Sequence, residues 1–296
     1  MGFFSNMFGS SGGRGKKKLP RIDVATRFDL LNRTGQGSMS KVWRARDRSL
    51  GRIVCVKLLD KEKTAKFEAR FPGLNRPTEG AICTVLRHKN IVQTFEHGVA
   101  TTGEPCLVME LIDGMGLNFL IETRSPSLNG RRIAYLCQLA DALEYLHGQR
   151  YLHRDLCPRN IMVTQDHVVK LIDFGLTIPY TEAFCRPGNR TGTPDYLPPE
   201  LIARRRTDHR VDLFALGVTA YELFTGGLPW EKARGSMEVL RRHLAMPGHD
   251  PRELRPDLDE PTTRLLLKSI ERDAEQRFQT AAEFREALKA LPKQDW

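Results

Sequence analysis

The chain of 296 residues has no run near the ~18 uninterrupted apolar residues of a membrane span, so spanning helices are not expected. Its first residues, MGFFSNMFGS, have neither a basic start nor a long apolar run, and no secretory leader is expected. Asn6 stands where the N-myristoylation pattern needs Ser or Thr. Cys-x-x-Cys pairs are missing as well. The six cysteines, Cys55, Cys83, Cys106, Cys137, Cys157 and Cys185, show no metal-ligand spacing and read as free thiols of a reducing cytoplasm. There is no internal repeat. Acids are absent from residues 1–21, where Arg14, Lys16, Lys17, Lys18 and Arg21 carry half of the formal +10 charge. The rest is mildly basic. No basic motif is interleaved with aromatics, so nucleic acid is not an expected partner.

What is present fits a globular protein with a sizeable core: 40% of residues are hydrophobic and 28% charged. Residues 1–27 read as a disordered basic tail. Phe3, Phe4, Met7 and Phe8 with the lysine run would suit contact with acidic lipid. Eight residues make a short anchor, however, and a solvated tail is the simpler reading. From Phe28 the pattern changes. FDLLNR, KVWRARD and RIVCVKLL are β-type runs around Gly-bearing turns, an antiparallel meander. TEGAICTVLRH predicts a helix with Ile82, Val85 and Leu86 on one face. IVQTFEHGV and PCLVMEL predict two more strands. After Gly114 the chain turns helical. RRIAYLCQLADALEYLHG is amphipathic, VDLFALGVTAYELFTG is apolar nearly all round and should be buried, and PTTRLLLKSIER and TAAEFREALKAL follow. A small β-rich lobe followed by a larger helical lobe puts a cleft between them.

Four stretches carry chemistry. Gly35, Gln36, Gly37, Ser38, Ser40 and Val42 lie in a turn between two strands, where glycines let backbone N–H groups approach phosphates. By itself such a turn is an ordinary hairpin. Ser40 stands where the usual third glycine would be. Lys57 ends VCVK in an apolar strand; with Glu79 as partner it would neutralise phosphate charge. HRDLCPRN supplies Asp155, placed to accept a hydroxyl proton, and Asn160, a metal ligand. Asp173 of DFG, at a strand end beside a glycine, suits Mg²⁺. Each piece alone has a structural explanation; their order and spacing together are far more specific.

Together these motifs resemble a eukaryotic-type (Hanks-type) serine/threonine protein kinase domain over residues 28–291, joined by GTPDYLPPE at 192–200, DLFALGV at 212–218 and AEQR at 274–277. The resemblance implies an α+β, bilobal fold: an N-lobe over 28–112, a C-lobe over 113–291 and a short tail at 292–296. It implies ATP with Mg²⁺, or Mn²⁺ in its place, and protein Ser/Thr hydroxyls as acceptors. Lys57 would pair with Glu79 and the phosphates, Asp155 would be the base, and Asn160 and Asp173 the metal ligands. Met109 would be the gatekeeper, Glu110 and Ile112 would offer backbone groups to adenine, and Cys55 would face it. Thr193 would bond Asp155, Glu200 would pair with Arg277, and Asp212 would brace the catalytic loop. Arg154 implies control by a phosphate in the segment 173–200, with Thr191 and then Thr181 as its bearers.

The catalytic loop departs from the pattern at one position. Cys157 stands where serine/threonine kinases usually have lysine. Arg159, two residues on, has a planar fork suited to phosphate and is expected to replace it. The competing function is a pseudokinase scaffold that binds nucleotide with little transfer. A thiol beside a cationic site can also be reactive, although a small residue that fits is the plainer reading of Cys157.

Overall fold

The structure, a computed structural model, describes residues 19–36, 40–231 and 236–292. Gly37 and Ser38 of the expected phosphate loop lie outside the described residues, as does the tail up to Lys18.

The N-terminal lobe is a six-stranded sheet in the order β1-β5-β6-β4-β3-β2. Its parts are β1 (Arg21–Ile22), α1 (Val24–Arg27), β2 (Phe28–Gln36), β3 (Ser40–Asp47), β4 (Arg52–Leu59), α2 (Lys61–Glu68), α3 (Glu79–Cys83), β5 (Thr94–Ala100) and β6 (Pro105–Met109). β2, β3 and β4 form the expected antiparallel meander. Alternation along β4 sends Val54 and Val56 into a core with Ala45, Ala100 and Val108.

Residues 21–27 correct the reading of a tail that runs to 27. β1 pairs parallel with β5, Arg21 opposite Val99 and Ile22 opposite Ala100. Ile22, Val24 and Phe28 are buried in that same core, and burying side chains of this size stabilises by about 1.5–3 kcal/mol each. Asp23 caps α1 by accepting from the Thr26 N–H at 3.1 Å. A basic composition concealed two anchoring apolar residues, Ile22 and Val24.

α3 is also shorter than its sequence pattern. It ends at Cys83, so Val85 is exposed while Ile82 and Leu86 are buried. Pro72 and Pro77 precede it and keep α2 and α3 from joining into one helix. Gly80 lets α3 lie against β5, since a Cβ there would meet the His97 side chain at 2.5 Å.

The C-terminal lobe is mainly helical, with small strand pairs under the cleft. Its elements are β7 (Gly114–Gly116), α4 (Leu117–Glu122), α5 (Arg132–Gly148), β8 (Tyr151–Leu152), β9 (Ile161–Thr164), β10 (Val169–Leu171), β11 (Ile178–Pro179), α6 (Pro199–Ile202), α7 (Arg210–Thr225), α8 (Ser236–Ala245), α9 (Glu260–Ser269) and α10 (Ala281–Lys289). β7, β9 and β10 form one antiparallel sheet, and β8 pairs with β11. α7 is buried along almost its whole length, as its all-round apolar sequence requires. Its one buried carboxylate, Asp212, is therefore a site feature. Core packing runs through both lobes: Ile82, Leu86, Leu107 and Met109 share a cluster with Leu136, Leu156, Phe174 and Phe214.

Candidate active site

The cleft between the lobes holds a cavity of ≈ 100 Å³ lined by Ser40, Lys57, Glu79, Asp155, Asp173 and Gly175, among others. Sequence positions up to 136 apart, Ser40 and Leu176, meet there because β3, β4, α3, the loop after β8 and the loop after β10 converge on it.

Lys57 lies in β4 and is buried. Its Nζ donates to Glu79 Oε1 at 2.7 Å and to Asp173 Oδ1 at 3.0 Å. Burial opposes its charge, but the two carboxylates outweigh that and raise its pKa, so it remains an ammonium. Asp173 is moved in the opposite sense: burial pushes it up, and the Lys57 charge and the Gly175 N–H bring it below 3.8. Glu79, fully enclosed, is raised by burial.

Asp155 sits across the cleft. Its Oδ1 accepts from the Thr193 N–H at 2.8 Å and Oγ1–H at 2.7 Å. Its Oδ2 accepts from Asn160 Nδ2 at 3.1 Å, and its carbonyl from the same nitrogen at 2.7 Å. Burial raises its pKa above 3.8, against the Thr193 bonds. Gly192 allows this approach: it has φ +128°, and a Cβ there would meet the Arg154 carbonyl at 2.7 Å.

The loop carrying Asp155 is held from beneath. Asp212 accepts from the His153 N–H and the Arg154 N–H, both at 2.8 Å, and meets His147 Nε2 at 2.9 Å. Arg154 has φ +71°, a conformation disfavoured for non-glycine residues that this clamp maintains. Further down, Glu200 and Arg277 form a two-pronged pair, both contacts 2.8 Å, with Arg277 buried.

The residues present fit a divalent ion. Asn160 commits its amide nitrogen to Asp155, which leaves its Oδ1 free of protein partners. Asp173 commits Oδ1 to Lys57 and Gly175, which leaves Oδ2, and its side chain stays 40% exposed on the cleft side. Mg²⁺ takes one or two such protein oxygens beside phosphate oxygens and water. Among the described residues no group of three His, Cys, Asp or Glu converges as an all-protein metal cage.

The remaining expected contacts are placed as follows. Gly35 and Gln36 pair with Val42 and Lys41 at the end of the β2–β3 ladder, and Ser40 is buried in the cavity wall. Cys55 and Met109 are register partners between β4 and β6. Glu110 donates its N–H to the Gln93 carbonyl at 2.9 Å, and its Oε1 accepts from the Gln93 N–H at 2.8 Å and from Lys170 Nζ at 2.7 Å. Its carbonyl and the Ile112 N–H make no backbone bond among the described residues. Cys157 is buried, with its Sγ 3.9 Å from Thr193 Oγ1. Burial pushes its thiol up to about 11, in line with the plainer reading of a small residue that fits. Arg159 is exposed, with no hydrogen bond or ion pair to the described residues. Thr191 is buried with its hydroxyl 3.4 Å from Arg154 Nη2, while Thr181 is half-buried.

Two residues were missed by sequence reasoning. Arg76 is buried, donating from Nη2 to the Gly175 carbonyl and from Nε to the Thr177 carbonyl, both at 2.8 Å. It joins the chain just before Glu79 to the chain just after Asp173. His147, on α5, completes the clamp on Asp212. Neither has a local signal: Arg76 sits in a proline-flanked loop, and His147 lies 65 residues from its partner.

A lysine–carboxylate pair, a half-buried carboxylate and two side-chain oxygens without protein partners meet in one interlobe cleft, an arrangement that suits an ATP-dependent phosphotransferase. The chain belongs to the protein kinase domain family, whose model matches residues 28–290. It is similar to serine/threonine-protein kinase pkn3 of Myxococcus xanthus, 31% identical over 92% of this chain and 51% of that protein. It is similar to Pkn1 of the same organism, 34% identical over 88% of this chain and 38% of that protein. To PknB of Mycolicibacterium smegmatis it is 32% identical over 90% of this chain and 43% of that protein. The chain thus spans about half or less of the length of these relatives.

Proposed function

We propose that this chain transfers the γ-phosphate of Mg-ATP to serine and threonine hydroxyls of proteins, as a signalling kinase. The observation that carries the reading is the convergence of Lys57, Glu79 and Asp173 on one side of the cleft with Asp155, Asn160 and Thr193 on the other. Lys57, held as an ammonium, neutralises the α/β-phosphates. Asp173 and Asn160 hold the metal ion, with Mn²⁺ able to replace Mg²⁺. The bound Mg-ATP supplies the phosphoryl group and the charge neutralisation that its transfer needs. Asp155 orients the acceptor hydroxyl and takes its proton. Met109, Glu110, Ile112, Cys55, Val42, Ser40 and Gly35 are the described residues that would enclose the nucleotide.

Arg159 takes the part of the absent lysine. Its exposed guanidinium has no competing partner, so it is free to meet charge that develops on the transferred group. The Thr193 hydroxyl on Asp155 suits a short acceptor side chain and favours serine or threonine over tyrosine. No observation favours the scaffold reading: Lys57, Glu79, Asp155, Asn160 and Asp173 are all present, Lys57 bonds Glu79 and Asp173, and Asn160 bonds Asp155.

Control by segment phosphorylation belongs to this reading. Thr191 lies against Arg154, but its burial means that the segment must open for transfer; half-buried Thr181 is easier to reach. Glu200–Arg277 and Asp212 hold the docking segment and catalytic loop. A reducing cytoplasm suits the six cysteines, all of which are free. No described helix is long and apolar enough to cross a membrane. The test is transfer of labelled phosphate to a basic protein. Wild type transfers label and Lys57→Ala does not; equal transfer by both would refute these roles.

A further inference from the structure

The segment that begins at Thr193 adjoins Asp155, so a peptide whose hydroxyl reaches Asp155 lies along it. Both ends of this segment are tied down: Thr193 bonds Asp155, and Glu200 pairs with Arg277. Between them the Tyr196 hydroxyl donates to Glu222 of α7. The chain at Leu197 lacks such support from its own backbone. Pro198 and Pro199 follow it and carry no N–H. No backbone group bonds the Leu197 carbonyl among the described residues.

A side chain of α8 bonds it instead. His243 Nδ1 lies 3.0 Å from the Leu197 carbonyl oxygen. A carbonyl only accepts, so Nδ1 carries the proton. His243 is 1% exposed and shares the inward face of α8 with Val239 and Leu240. That face is otherwise apolar, and Leu240 packs with Leu197, Leu201, Ile202 and Val211. Trp230 fixes the imidazole from another side, with ring centroids 4.0 Å apart. Trp230 is itself held by a 3.1 Å bond from Nε1 to the Met246 carbonyl and by stacking on Phe214 of α7. A buried polar group is costly unless it is bonded, so the ring N–H and the carbonyl each need the other.

We propose that His243 is a positioning residue for the protein acceptor: through the Leu197 carbonyl it sets the surface on which the acceptor chain rests. The inference rests on the kinase reading and adds a residue outside the cleft to it. Asp155 is held separately, by Thr193, by Asn160 and, through its loop, by Asp212. Loss of the His243 bond therefore loosens the seat of the acceptor and leaves the nucleotide side and the transfer step in place.

The test is steady-state transfer by the full chain, with a threonine-bearing peptide varied at saturating Mg-ATP and then ATP varied at fixed peptide. His243→Phe keeps a ring against Trp230 and removes the donor. It should raise the peptide KM about tenfold, as expected when a buried carbonyl loses its partner, while kcat and the ATP KM stay within about twofold. In His243→Asn the amide nitrogen takes the place of Nδ1, and most of the peptide KM should return. Thermal melting checks that both variants fold; if His243→Phe does not, His243→Leu removes the same donor with less bulk. A residue that served only stability would lower the amount of active chain and leave both KM values alone. An unchanged peptide KM in a folded variant without the donor overturns the proposal. So does an equal rise in both KM values, a defect in His243→Asn as large as in His243→Phe, or failure of both donor-less variants to fold. These outcomes leave the kinase reading standing, whereas a wild-type chain that transfers nothing defeats that reading and this proposal with it.

Discussion

Arg76 Nη2 donates to the Gly175 carbonyl at 2.8 Å, and through this bond the short helix that carries Glu79 is tied to the loop that carries Asp173. Only five residues form that helix. A helix so short does not hold its own position in water. Arg76 therefore substitutes for length: its second bond, to the Thr177 carbonyl, and its stacking at 4.7 Å from the Phe67 ring fix the arrangement.

Arg76→Ala removes both bonds and leaves one buried carbonyl, of Thr177, and one half-buried carbonyl, of Gly175, unpaired. Hydrogen bonds from charged donors contribute about 1.5–3 kcal/mol each. Phosphotransfer should fall about tenfold or more as Glu79 loses register with Lys57, and Arg76→Lys should recover part of it. Steady-state kinetics with a peptide substrate, alongside urea denaturation, checks this. Unchanged kcat in a folded Arg76→Ala chain would deny the tether a role.

Arg159→Ala should lower kcat by about a hundredfold, in line with loss of one donor to developing charge, and should leave the thermal midpoint unchanged because the side chain is exposed and unbonded. Single-turnover transfer measures it directly. An unaffected rate would mean that the loop works without any cation in the place of Cys157.

The pH dependence has a definite sign. Asp155 must be ionised to take a proton, and burial raises its pKa above 3.8. Activity is then complete above the raised value and is lost as pH falls through it. Thr193→Val removes the 2.7 Å hydroxyl bond, which favours the ionised form. The acidic limb of kcat/KM should shift to higher pH in that variant. A limb that stays in place or moves lower would contradict the assignment.

Glu200→Ala strands the Arg277 guanidinium, which is fully enclosed and otherwise bonded only to the carbonyls of Glu271 and Arg272. Breaking one side of a buried pair costs about 3–5 kcal/mol. Urea unfolding should show a loss of that order in Glu200→Ala, where a loss below about 1 kcal/mol would mark the pair as no more than a surface contact.

Most of the site was legible because its parts are local motifs: a lysine at a strand end, HRD before a short turn, DFG after a strand. Pairings such as Glu200 with Arg277 followed once the family resemblance was recognised. What could not be read were features set by tertiary contact. Ile22 and Val24 look like scattered apolar residues beside a basic tail until β5 offers that stretch an edge. The helix expected through Val85 stops at Cys83, and Val85 ends in solvent. Arg76 is one arginine among many, and only the folded chain brings two carbonyls a hundred residues away to its guanidinium.

The most direct measurement is transfer from γ-labelled Mg-ATP by the purified chain, to itself and to a basic protein, with phosphoamino-acid analysis of the products and Asp155→Ala as the control. Label on phosphothreonine or phosphoserine that disappears in Asp155→Ala is the predicted result. Nucleotide binding without transfer, or transfer that persists in Asp155→Ala, would contradict the account.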